Sequence, residues 1–219
     1  MAAKRLRILI LNAALAGGTG NTEVALTRLA RLLAKNAEVR SLALAGTKRG
    51  ADRSFAEVKP ELAWADAFVF GTGTHWDSWS SVLQKFLEDA TEAEGTALWL
   101  GKPAACVVTE HSVGGKGVLS RLQGVLVTMG CLIPPMSGLV LSKVAEIAAG
   151  SEKGAGARDK FQEVGGREAA KAEASGTEDF WCTDDLKIVA HNLVEAVNGT
   201  RRWKAWPVDR TDFSARWMA

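Results

Sequence analysis

The run Ile8-Leu9-Ile10-Leu11 sets four large aliphatic side chains in succession, and Gly17-Gly18-Thr19-Gly20 follows shortly after. A strand with one wetted face alternates apolar and polar residues. An unbroken apolar run belongs to a strand covered on both faces. Arg5 to Leu11 is therefore predicted to be an inner strand of a parallel sheet. Parallel neighbours cannot be joined by a hairpin; each needs a crossover, usually a helix. The chain must then alternate strands and helices.

The remaining sequence meets that demand. A helix is expected from Asn21, capped by Asn21 or Thr22, with Ala25, Leu29, Leu32 and Leu33 at helical spacing. Val39 to Leu44 reads as a second strand, Gly46 to Arg53 as a polar loop, and Phe55 to Trp64 as a short helix. Ala67 to Gly71 is the third strand, and the loop Thr72 to Trp79 leads to a helix with Leu83, Phe86, Leu87 and Ala90 on one face. Ala104 to Thr109 is the fourth strand. The loop Glu110 to Gly117 opens a helix carrying Val118, Leu122, Val125 and Met129 in register. Leu132 to Val140 is read as a fifth strand, interrupted near its start by Pro134-Pro135, and Asp184 to Val197 as a final helix. The expectation is one α/β domain over residues 1–219: a doubly wound, five-stranded parallel sheet with helices on both faces. Residues 145–180, rich in Gly, Ala, Glu and Lys, read as an exposed insertion, and 201–219 as a Trp-rich tail.

Composition removes several function classes. Hydrophobic residues are 47% of the chain and charged ones 24%, which excludes disorder as the main state. A net charge of +2 neither demands nor excludes an anionic partner, and Arg201 to Trp206, one short run of interleaved basic and aromatic residues, reads as a docking tail, so no nucleic acid is expected as partner. No apolar stretch reaches the ~18 residues of a spanning helix, so no membrane is expected either. The start Met1-Ala2-Ala3-Lys4-Arg5 runs straight into the first strand, unlike a signal peptide, which leads to the expectation of a cytoplasmic protein. Cys106, Cys131 and Cys182 stand apart, without metal-type spacing, so no metal site is expected. The tail carries Trp203, Trp206, Phe213, Trp217 and Met218 among four arginines. Apolar groups of this size need cover, and these types are enriched at interfaces, so a homo-oligomer, dimer or tetramer, is expected.

In an open parallel sheet, ligands bind beyond the carboxyl ends of the strands, where strand order reverses. Three loops leave those ends, at 12–20, 72–79 and 110–117, and in a 2-1-3-4-5 order they are neighbours. The first holds Thr19, Gly20, Asn21 and Thr22 at a helix start. Small residues, backbone amides and the helix dipole favour an anion there, with the Thr19 and Thr22 hydroxyls as donors. No Gly-Lys-Ser/Thr follows, so this is not a nucleoside-triphosphate loop; a phosphate monoester without metal fits better. The second loop offers Thr74, His75, Trp76, Asp77 and Trp79, an aromatic face with polar edges for a flat heteroaromatic ligand. The third, Glu110, His111, Ser112, Val113, Gly114 and Gly115, lets backbone approach a ring edge, with His111 and Lys116 as candidate positive groups.

These residues carry a resemblance. Thr19-Gly20-Asn21-Thr22-Glu23 is similar to the T-x-T-G-N-T-E phosphate loop of flavodoxins, with Gly17 at the first Thr position. Gly71-Thr72-Gly73-Thr74-His75-Trp76-Asp77 resembles the G-T-P-T-R-F-G loop of flavodoxin-like quinone reductases, and Glu110 to Gly115 their Gly-rich third loop. Ser-Ser-Val-Leu-Gln-Lys-Phe after Trp79 is similar to the S-x-x-L-K-x-F helix start of NAD(P)H-dependent FMN reductases. The resemblance spans about 5–142 and the helix at 184–198. It implies a flavodoxin-like fold, FMN held by the three loops, NADPH or NADH as donor and a small-molecule electron acceptor. Ala13 stands where many FMN reductases have Ser, and Met129 where the quinone reductases often have His. The other readings are a non-enzymatic flavodoxin-type electron carrier and a flavin-less interaction module on the same fold.

Overall fold

The computed structural model describes residues 5–46, 52–143 and 183–199. Its strands are β1 (Leu6–Asn12), β2 (Ala37–Ala43), β3 (Ala67–Gly73), β4 (Ala104–Glu110) and β5 (Gly138–Ser142). Its helices are α1 (Asn21–Leu33), α2 (Phe55–Trp64), α3 (Ser81–Asp89), α4 (Gly115–Met129) and α5 (Leu186–Asn198). All four strand pairings are parallel, in the order β2-β1-β3-β4-β5. The order reverses between β1 and β3, so the loops after these strands open a crevice at one edge.

The continuous apolar runs are explained by two-sided burial. Ile8 and Ile10 face one layer and Leu9 and Leu11 the other, and all four are fully buried. One layer joins α1 and α5 to the sheet through Leu26, Leu29, Leu33, Leu186, Val189 and Leu193. The other joins α2, α3 and α4, and holds Phe55, Phe68, Phe70, Phe86 and Trp99 in mutual ring contact. No helix among the described residues is long and apolar enough to cross a membrane.

Several boundaries differ from expectation. The fifth strand is Gly138–Ser142, not Leu132 to Val140. Leu132 makes only an isolated bridge to Pro103, and Pro134 accepts from Ser137 in a turn. Two consecutive prolines lack the N–H groups that a ladder needs. The second strand begins at Ala37 and ends at Ala43 rather than running from Val39 to Leu44. Helix α4 begins at Gly115, two residues before the expected end of its loop, because the Glu110 carboxylate accepts from the Gly115 N–H at 2.5 Å and Gly114 turns the chain at φ 94°. At α1 the N-cap is Gly20, at φ 89°, and no side chain caps the helix; neither Asn21 nor Thr22 does so. The insertion at 145–180 and the tail at 201–219 lie outside the described residues.

Candidate active site

Asn12 ends β1 and builds the first loop. Its buried amide donates to Gly17 O and to Glu23 Oε2, both at 2.7 Å, and its Oδ1 accepts from Ala14 N–H at 3.0 Å. Ser80 ties this loop to the second: its hydroxyl donates to Ala13 O and accepts from Leu83 N–H at 3.1 Å, capping α3. The Ser80 N–H donates in turn to Thr72 Oγ1 at 3.2 Å. The Thr22 and Thr109 hydroxyls are hydrogen-bonded at 2.7 Å, joining the start of α1 to the end of β4. The Thr74 N–H donates to Thr109 O at 2.7 Å. The three loops are thus one bonded assembly.

Between them lies a cleft of about 400 Å³. Of the residues singled out from sequence, Asn21, Thr22, Thr74, His75, Glu110 and His111 line it. Leu15 and Lys143 line it as well. The Thr74 Oγ1 is buried without a hydrogen-bond partner. The first N–H groups of any α-helix have no carbonyl within the helix to receive them, and those of α1 have no side-chain cap. A cleft with an uncapped helix start at one end and an orphaned buried hydroxyl fits a ligand with an anionic tail and a polar-edged body. FMN has that chemistry.

Other candidates are placed elsewhere. The Thr19 hydroxyl donates to Ala16 O at 2.8 Å and does not line the cleft. Trp76 stands fully exposed at the hairpin tip, with a relative exposure of 101%. Trp79 packs against the aromatic layer and donates from Nε1 to Gln84 Oε1 at 2.7 Å. Gly114 makes room for Asp77: a Cβ on Gly114 would lie 2.1 Å from Asp77 Oδ1. Gly20, Ser112, Val113 and Gly115 shape the loops without lining the cleft, and Lys116 is exposed on the first turn of α4. Asn12, Ser80, Leu15 and Lys143 were not singled out from sequence. The signal available for Asn12 was a lone amide closing an apolar strand before a glycine run; for Ser80 it was its place at a helix start. Lys143 gave none.

The two described cysteines, Cys106 and Cys131, do not line this cleft. Burial raises both described thiols, Cys106 strongly and Cys131 to about 12, so neither is a nucleophile at neutral pH. Among the described residues no cluster of His, Cys, Asp and Glu can hold a metal.

Several solved structures share the fold. RosB, solved with bound 8-demethyl-8-formylriboflavin-5'-phosphate, has a TM-score of 0.60 at 14% identity, covering 88% of this chain and 79% of its own. An oxidoreductase from Corynebacterium diphtheriae has a TM-score of 0.56 at 15% identity, covering 89% of this chain and 98% of its own. A flavodoxin from the domain Archaea has a TM-score of 0.54 at 15% identity, covering 89% and 100%. The fold is flavodoxin-like, as the order of the sheet requires. No curated protein matches in sequence. The family described as NADPH-dependent FMN reductase matches residues 6–146, well over half of the chain. The chain therefore belongs to the NADPH-dependent FMN reductase family and is an oxidoreductase.

Proposed function

We propose that the chain binds FMN non-covalently in the cleft between the three loops and takes electrons from NADPH or NADH for a small acceptor such as a quinone or a flavin. The orphaned Thr74 hydroxyl, in the same cleft as the uncapped start of α1, carries this reading. FMN, when bound, supplies two-electron exchange between a nicotinamide and an acceptor, chemistry that no side chain here provides.

The residues of the chain hold and surround it. The amides of Asn21 and Thr22, aided by the Thr22 hydroxyl, receive the phosphate. Thr74 donates to the polar edge of the ring. His75 and His111 flank the ring, and Trp76 covers its edge. Lys143 adds a positive charge near an anionic ligand. The exposed Leu15, Trp76 and Val113, one from each loop, form an apolar rim that favours a flat acceptor. We also propose a homo-oligomer, on the apolar content of the tail.

Binding of FMN and riboflavin to Thr22→Ala tests the phosphate assignment. A charge-assisted hydrogen bond is worth about 1.5–3 kcal/mol, so FMN should weaken by roughly 10–100-fold while riboflavin is nearly unchanged. Equal weakening of both would refute it. Anaerobic NADPH should bleach the bound FMN within catalytic times; reduction slower than minutes would favour the electron-carrier reading.

A further inference from the structure

The tip of the second loop is a two-residue hairpin. His75 N–H donates to Ser78 O at 2.8 Å, and Ser78 N–H to His75 O at 3.0 Å. The two residues between, Trp76 and Asp77, both adopt left-handed backbone, at φ 50° and 56°. Such turns favour Asn-Gly. Asp tolerates the conformation; a bulky Trp is strained there. The Trp76 ring is fully exposed, so its own packing offsets none of that strain. The strain must be offset by contacts around the tip.

Arg121, on α4, donates from Nη2 to Asp77 O. Its Nε donates to Gly117 O at 3.4 Å, and its guanidinium lies 5.8 Å from the centroid of the Trp79 ring. Trp79 is itself fixed by Gln84. The Asp77 carboxylate sits in the space that Gly114 leaves open. Strain at an exposed aromatic beside a ligand cleft, held by a cation from another element, is the arrangement of a positioned contact rather than of a fold-stabilising one.

We propose that Arg121 is a positioning residue: it latches the 75–78 hairpin to α4 and so fixes Trp76 at the mouth of the cleft. The effect on ligand rests on the reading that the cleft holds FMN; the latch itself does not.

The experiment separates the two. In flavin-free protein, amide hydrogen exchange at His75 and Ser78 should quicken roughly tenfold or more in Arg121→Ala, and Arg121→Lys should recover part of the protection. Unchanged exchange overturns the latch whatever the ligand. In flavin titrations, Arg121→Ala should weaken FMN and riboflavin by the same factor, about tenfold, because the phosphate is not involved. The quenching of Trp76 emission by flavin should fall with it. Trp76→Ala with Arg121→Ala should bind no more weakly than Trp76→Ala alone. Additive losses overturn the claim that Arg121 acts through Trp76. If exchange quickens but Trp76→Ala leaves flavin binding unchanged, the latch is upheld and the contact of Trp76 with flavin falls.

Discussion

Asn12 uses each polar atom of its side chain inside the first loop. Replacing it with Ala removes three bonds and leaves Gly17 O buried without its donor. We expect Asn12→Ala to cost roughly 2–3 kcal/mol of stability, read as a lower urea midpoint, and to weaken FMN. The residue scale is also where the sequence was hardest to read. The place of Thr22 and Thr74 in the cleft was legible from their positions in the loops that follow β1 and β3. The partners that build the loops, Asn12 and Ser80, looked like the end of a strand and the start of a helix. Thr19 looked like a ligand donor, yet its hydroxyl has a nearer carbonyl at Ala16. Local hydrogen bonds of this kind depend on turn geometry that residue types do not specify. Lys102 gives a pH test. Burial lowers its ammonium from 10.5 to about 8, while it still donates to Leu62 O at 2.8 Å. Between pH 8 and 10.5 the unfolded chain holds a proton that the folded chain has released, so stability from this position rises with pH across that window. Below it the penalty for burying the charge is fully present. Lys102→Met does not titrate there, so its urea midpoint relative to wild type should fall as pH rises from 8 to 10.5.

At the scale of elements, periodicity decided most of what was legible. The two-sided apolar runs located β1, β3 and β4, because burial on both faces leaves an unbroken pattern. The fifth strand begins later than its pattern predicts: Leu132 and Ile133 have the apolar character of β5, and only the two prolines mark where the ladder cannot form. Helix α4 starts earlier than its sequence predicts: glycine is a poor helix former, and Glu110 compensates by receiving the first N–H. Packing against β3 was not legible at all. A Cβ on Gly71 would lie 2.5 Å from Leu26 Cδ1, so α1 crosses the strand with no room to spare. Gly71→Ala should destabilise by about 1–3 kcal/mol, measured by thermal or urea unfolding, and Leu26→Ala in the same chain should recover part of the loss.

The whole molecule contains two apolar layers that meet only through the sheet, and they are unequal. Among the described residues, the layer under α2, α3 and α4 holds all the core rings, and the layer under α1 and α5 is aliphatic. On this scale the oligomer proposal is checked by light scattering of the full chain and of one ending at Thr200; a monomeric full chain would end it. The aliphatic layer has a further property. Lys143 and Thr183, which bracket the path from β5 to α5, are 40 positions apart in the chain, so α5 is tethered to the sheet by a long connection. Its apolar side chains rest on Val107, Leu139 and Leu141 and on α1, and the aromatic layer does not depend on them. The protein should therefore open in stages. Helix α5 should detach first, in a partial excursion that leaves the ring-filled half and the cleft intact, so its amides should trade hydrogen for deuterium well before those of β1 and β3.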